Sequence, residues 1–149
     1  MKTAVMCIGN RHGGDDAVGP YIADELKKES IENLRIVDCG TVPENFTSKV
    51  KKYNPTMLVL IDATEMGLAP GEIRRIPKEK VGTMHVSTHG IPLSIMISYM
   101  EKYMENVILI GIQPKKMDGN MSEAIKKSGD KLVELIKNMK FLELETLVR

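Results

Sequence analysis

Short runs rich in Val, Ile and Leu recur along this 149-residue chain, and helical periodicity fills the intervals between them. Strands buried on both faces read as continuous apolar runs, and strands alternating with helices build parallel sheets whose crossover helices cover the two faces. The expected strands are residues 3–8, 34–38, 57–62 and 107–112, with a fifth at 72–76 after the turn LAPG. The polar alternation of the fifth predicts an edge strand or an antiparallel partner.

The first helix is expected over 17–28, with Val18, Tyr21, Ile22, Ala23 and Leu26 on one face and Asp15 or Asp16 capping its start. Pro20 fits only because it lies in the first turn. A second helix over 45–53 ends at the stop signal Asn54-Pro55, and a third opens near Ile91 and carries Leu93, Met96, Ile97, Met100 and Met104. A fourth, over 122–139, repeats the pattern with Ile125, Leu132, Leu135, Ile136 and Met139. The expectation is an α/β fold: a three-layer α/β/α sandwich around a twisted, mostly parallel five-stranded sheet. Residues 1–140 read as one domain, and 141–149 as a tail that extends the last helix or frays.

Composition narrows the function classes. With 42% apolar and 28% charged residues and a net charge of +1 spread along the chain, nothing pulls on nucleic acid, and no apolar run reaches the ~20 residues of a bilayer crossing. The opening MKTAVMCIGN passes into a Gly-rich turn without a small-residue cleavage site, so it reads as a first strand and the location as cytoplasmic. Cys7 and Cys39 form neither a Cys-x-x-Cys pair nor a zinc spacing; they read as buried thiols, with a catalytic Cys39 the alternative. Eleven methionines, many in the second half, read as core filler, with a soft docking surface as the alternative.

Three residues far apart in sequence, Asp16, Asp62 and His89, each fall where a strand hands over to a loop. In an open parallel sheet those loops line the ligand crevice. Two carboxylates and an imidazole form a borderline-hard donor set suited to zinc, nickel or a neighbouring divalent ion, with positions left for substrate or water. Taken singly, Asp16 also reads as a helix cap, Asp62 as a strand-end turn and His89 as a loop histidine bonded to backbone. Gly9, Gly13 and Gly14 allow a tight loop that exposes N–H groups, which leaves an anion site open. That loop lacks a P-loop ending and a dinucleotide spacing, and two acids at its helix entrance repel phosphate. His12 reads as an exposed loop residue, or else as a fourth ligand or substrate contact.

The segments CIGNRHGGDDAVGP (7–20), VDCGTVPEN (37–45), DATEMGLAPGEIRRI (62–76), STHGIPL (87–93) and LIGIQP (109–114) together resemble the hydrogenase maturation endopeptidases. Within that family they look most like the branch serving the formate-hydrogenlyase type of nickel–iron hydrogenase. Ala17, where the family more often has Gly, and the tail beyond residue 140 depart from the pattern.

The resemblance implies that Asp16, Asp62 and His89 are the metal-binding and catalytic positions of a protease that removes the C-terminal extension of the large-subunit precursor. It also implies that the nickel arrives inside the precursor, so that no permanent cofactor is expected, with zinc or cadmium able to substitute, and that the protein is a monomer. Asp15 is the candidate general base, and Asp38, Gly40 and Thr41 are candidates for positioning the extension, against plain turn and cap chemistry. The rival expectations are a self-sufficient zinc peptidase or amidase and a non-hydrolytic nickel-binding chaperone.

Overall fold

The computed structural model describes residues 1–82, 85–86 and 90–148. In chain order the elements are β1 (Thr3–Ile8), α1 (Val18–Leu26), β2 (Leu34–Gly40), α2 (Thr47–Tyr53), β3 (Met57–Glu65), β4 (Ile73–Ile76), α3 (Lys78–Val81), β5 (His85–Val86), α4 (Leu93–Met100), β6 (Asn106–Ile112) and α5 (Glu123–Lys137). Five strands form one sheet in the order β2-β1-β3-β6-β4. The pairs β1–β2, β1–β3 and β3–β6 are parallel, and β4 runs antiparallel to β6 at the edge, as its polar alternation implied. The two-residue β5 pairs antiparallel with the far end of β3, through Thr64–Val86 and Glu65–His85.

Strand alternation divides the core in two. Ala4, Met6, Ile8, Leu58 and Leu60 pack with Val50 of α2 and with Leu93, Met96, Ile97 and Met100 of α4. Val5, Cys7, Val59 and Ile61 face α1 and α5, meeting Ile22, Leu26, Leu132 and Ile136. Met66, Met96, Met100 and Met104 are buried in the first of these cores, so the core reading holds for them, whereas Met117 is exposed. Met84 lies outside the described residues.

The structure departs from expectation in several places, including the additional short elements α3 and β5. β3 continues three residues past Asp62, to Glu65, because its overhang beyond β1 is paired by β6 and β5. α1 is entered through a 3-10 turn, Gly14–Ala17, and no side chain caps either element, so the expected cap by Asp15 or Asp16 is absent; both carboxylates have other partners. α2 ends where Asn54 turns left-handed at φ 57°, as the stop signal required, but its first turn is a separate 3-10 segment, Pro43–Phe46. The tail does not continue α5. It turns at Phe141–Glu143, buries Phe141 and Leu147, and lays Thr146 beside Arg75 in a parallel bridge, with Arg75 N donating to Glu145 O and Leu147 N to Arg75 O, both at 2.8 Å. That segment covers the outer edge of β4, the strand otherwise open to foreign pairing.

Candidate functional site

The sheet order fixes where a ligand can sit. The chain leaves β1 for β2 on one side and returns to β3 on the other, so the crevice between the carboxyl ends of β1 and β3 is the topological switch point. Asp16 follows β1 in the 3-10 turn, which packs against β3. Asp62 lies on β3 one residue beyond Ile61, the last residue of that strand to pair with β1. Both acids are buried, Asp62 at 0% and Asp16 at 4% exposure. A carboxylate is costly to bury unless something charged or polar meets it, so two at one switch point mark a site. Asp62 shares parity with Leu58 and Leu60, which directs it toward the layer of α2 and α4.

The third expected residue, His89, lies outside the described residues, but both flanks of its segment are placed. Val86 pairs with Thr64 on the overhang of β3, and Gly90 leads through Pro92 into α4. Among the described residues no three His, Cys, Asp or Glu side chains gather as a potential metal site; of the proposed set, Asp16 and Asp62 lie on neighbouring elements at the switch point.

The neighbouring acids Asp15 and Asp16 have separate partners. Asp16 Oδ2 accepts the backbone N–H of Asn10 at 2.8 Å, which folds the Gly-rich loop back over its own end. Gly9 permits this closure, since a Cβ there would stand 2.0 Å from Asp16 O. Asp15, fully buried, accepts from the backbone N–H groups of Lys115, Lys116 and Ser122 at 2.8, 2.9 and 2.6 Å and from Ser122 Oγ at 3.1 Å. Burial pushes its carboxyl pKa up, but the hydrogen bonds from Ser122, Lys116 and Lys115 outweigh this and leave it below the ordinary range. A carboxylate so occupied and so weakly basic is a poor proton acceptor, which weighs against the general-base candidacy of Asp15; it ties the entrance of α1 to the loop before α5.

The same hydrogen bonds answer the anion reading. Gly9 N donates to Gly40 O, His12 N to Asn10 Oδ1, Gly13 N to Asn10 O and Asp15 N to Lys116 O. With Asn10 N committed to Asp16, these amides serve acceptors of the chain itself rather than a phosphate.

Beside the switch point lies a cleft of about 540 Å³, lined in part by Arg11, His12, Asp38, Gly40, Thr41 and Phe46. The secondary candidates Asp38, Gly40 and Thr41 therefore share one concavity with the first loop. Arg11 spans its wall, pairing with Asp24 at 2.8 and 2.9 Å and with Asp38 at 2.5 Å. The bonds to Asp24 and then Asp38 drive the guanidinium pKa further up, and the bond from Arg11 lowers that of Asp24. β2 bulges at Cys39, where the β1 register passes from Asp38 to Gly40, and Gly40 takes the left-handed φ of 56° that turns the chain into the cleft. Cys39 is buried and its thiol pKa is pushed up to about 12 by burial and then by Asp38, so the catalytic-thiol alternative loses its basis. His12 is exposed at the cleft rim.

Two residues escaped the sequence reading although both lie in the recognised segments. Gln113, buried at the end of LIGIQP, accepts from Met66 N at 2.7 Å and Leu68 N at 3.2 Å while donating to Glu65 Oε2 and Pro114 O, thereby clamping the turn after β3. Its signal was a polar residue at the carboxyl end of a central strand. Glu44, in VPEN, carries its carboxylate across to Gly90, where a Cβ would meet Oε2 at 2.0 Å. An acid at a strand-to-helix turn on the crevice edge was the available cue.

Comparison with known proteins agrees with this architecture. The HycI family, described as hydrogenase maturation protease, matches residues 20–139. The Hydrogenase 3 maturation protease of Escherichia coli is 37% identical over 76% of this chain and 74% of its own. A candidate hydrogenase maturation protease of Methanocaldococcus jannaschii is 40% identical over 93% of this chain and 90% of its own. A crystal structure of the Hydrogenase 3 maturation protease superposes with a TM-score of 0.92 at 29% identity, covering 100% of this chain and 98% of that one. A family match over most of the chain, and a fold that puts two buried acids at the switch point, make this protein a peptidase of the hydrogenase maturation protease family.

Proposed function

We propose that this endopeptidase removes the C-terminal extension from the large-subunit precursor of a nickel–iron hydrogenase after nickel insertion, and that Asp16, Asp62 and His89 engage the nickel held by that precursor. The observation that carries the reading is the pair of buried carboxylates, Asp16 and Asp62, at the switch point between β1 and β3. Two carboxylate oxygens and an imidazole nitrogen fit a borderline divalent ion, and the absence of thiolate from the set suits an ion that stays with the substrate. Zinc or cadmium can replace nickel on the same chemistry. A metal so placed polarises a carbonyl or acidifies a bound water.

The protein's own residues supply the frame. Asp62 is held by strand pairing to Gly111 of β6, and Asp16 by the closed loop whose Asn10 amide it accepts. The cleft walled by Arg11, Asp38, Gly40 and Thr41 receives the extension. The enzyme acts as a cytoplasmic monomer. No helix among the described residues is long and apolar enough to cross a membrane.

The test is to incubate the purified protein with metal-free and with nickel-loaded precursor and to follow loss of the C-terminal peptide by mass spectrometry. Cleavage of the loaded form alone is expected, with none in Asp16→Ala, Asp62→Ala or His89→Ala. Equal cleavage of both forms, or hydrolysis of small peptides by the enzyme with its own zinc, favours the self-sufficient zinc peptidase. An unchanged precursor mass would leave the non-hydrolytic chaperone.

A further inference from the structure

We infer that the precursor's C-terminal extension binds by strand addition, pairing antiparallel with the free edge of β2 and running from the cleft into a groove beside Leu34 and Ile36. The identity of that peptide rests on the proposed function. β2 ends the sheet order, with β1 on one side and no described strand on the other. The opposite edge, β4, is closed by the tail through the bridge between Arg75 and Thr146. An uncovered edge strand is a template for pairing with another chain, and peptide-binding proteins use such edges to take extended segments.

The hydrogen-bond parity of β2 decides which groups are on offer. In a parallel ladder one residue of each facing pair bonds to the two neighbours of the other, so the residues that bond across alternate along the strand. Thr3, opposite Leu34, donates to Asn33 O at 2.9 Å, which turns the backbone groups of Asn33, Arg35 and Val37 toward β1. The N–H and C=O of Ile36 and Asp38 therefore face outward, and no turn or loop among the described residues bonds them.

Beside this edge lies a groove of about 320 Å³ between β2 and the end of α1, floored by Leu26, Ile31, Leu34 and Ile36, with Lys27 and Glu29 at its rim. Leu34 and Ile36 are only half-buried, so apolar side chains at alternate positions of an added strand have a floor to cover. The carboxyl end of β2, from Asp38 to Thr41, lines the cleft beside the switch point. Groove, edge and cleft are thus one continuous path. Peptide beyond the scissile bond leaves the crevice toward the amino end of β2, which makes the added strand antiparallel.

The test uses the outward amide. Ile36→Pro removes that N–H and nothing that β1 uses, and proline is tolerated at such a position on an edge strand. On nickel-loaded precursor it should raise KM about tenfold, the contribution of one backbone hydrogen bond, with kcat retained. Ile36→Val keeps the N–H and should stay within about twofold of wild type. A second readout does not depend on the folding of the proline variant: the released C-terminal peptide, once identified by mass, is synthesised and added to the wild-type protein. Amide exchange at Ile36 and Asp38 should slow, while Arg35 and Val37, already bonded to β1, stay unchanged.

An unchanged KM in folded Ile36→Pro, an equal loss in Ile36→Val, or unslowed exchange at Ile36 and Asp38 would each overturn strand addition. If the wild type leaves the extension uncut, the proposed function fails and takes this inference with it. If the wild type cuts and Ile36→Pro cuts equally well, only the strand addition falls.

Discussion

Replacing Asp15 by Asn separates a structural carboxylate from a catalytic one. Asp15 Oδ2 takes three donors, Lys115 N, Lys116 N and Ser122 Oγ, and Oδ1 takes Ser122 N at 2.6 Å. An amide offers one oxygen. With that oxygen left toward the three donors, the NH₂ group faces the Ser122 N–H, donor against donor, and the surviving bonds lose their charge. A hydrogen bond to a charged group contributes about 1.5–3 kcal/mol, so one such bond lost and three weakened amount to about 3 kcal/mol. For a urea slope of about 2 kcal/mol/M the midpoint falls by about 1.5 M.

The pH dependence has a definite sign. The folded pKa is depressed, so the contribution of Asp15 is complete above the unfolded value of about 3.9 and disappears as pH falls through the folded value. The gap between wild type and Asp15→Asn should therefore be flat from about pH 7 to 5 and close below about pH 4. Urea melts followed by circular dichroism measure it, alongside precursor cleavage at a temperature where the variant is folded. A variant within about 0.5 kcal/mol of wild type would refute the hydrogen-bond reasoning. A folded but inactive variant would return Asp15 to the chemistry.

Three further outcomes follow from the same geometry. Gln113→Ala strands the amides of Met66 and Leu68 and should cost about 3 kcal/mol in a urea melt, at about 1–3 kcal/mol per unmet buried group. Arg11→Ala removes the pairs to Asp24 and Asp38, all partly exposed, so the loss should stay within about 1 kcal/mol and shrink in 0.5 M salt, which thermal melts at two ionic strengths would show. Cys7 and Cys39 are both buried free thiols with raised pKa values, so a disulfide reagent at about pH 8 should label neither in the native protein and both in guanidinium; rapid native labelling of Cys39 would reopen its reactivity.

The sheet was legible because its strands are buried on both faces. Met57–Ile61 has almost no polar interruption, and no helix of that length would need so many branched residues. The edge strand was legible from the two arginines inside Ile73–Ile76. What stayed hidden depends on contacts distant in sequence. The overhang of β3 is paired by β5 and β6, and nothing local to residues 63–65 announces that. The fate of Asp15 is decided by amides about a hundred residues away, and the docking of the tail by one bridge to Arg75. The site was half legible: the spacing of Asp16 and Asp62 from strand ends follows from periodicity, whereas the carboxylate at Glu44 emerges only when α2 and α4 are packed on the same face.

The pair Asp15-Asp16 shows how one short turn separates a supporting carboxylate from one in the proposed site. A 3-10 segment advances about 120° per residue, so adjacent side chains diverge. One carboxylate is sent toward the loop before α5 and saturated there, and the next is left at the mouth of β1, beside the strand that bears Asp62. The saturation of Asp15 is what makes Asp16 useful: with α1 pinned at its entrance, the loop from Gly9 to Gly14 closes on Asp16 instead of folding around a ligand of its own. Asp62 gains the equivalent rigidity by lying on a strand rather than beyond one, with Gly111 as its β6 partner and no β1 neighbour to cover it. The proposed recognition of a metal held by the precursor needs donors that do not rearrange to suit an empty substrate. Two acids held by backbone, one through strand pairing and one through a closed loop, meet that requirement.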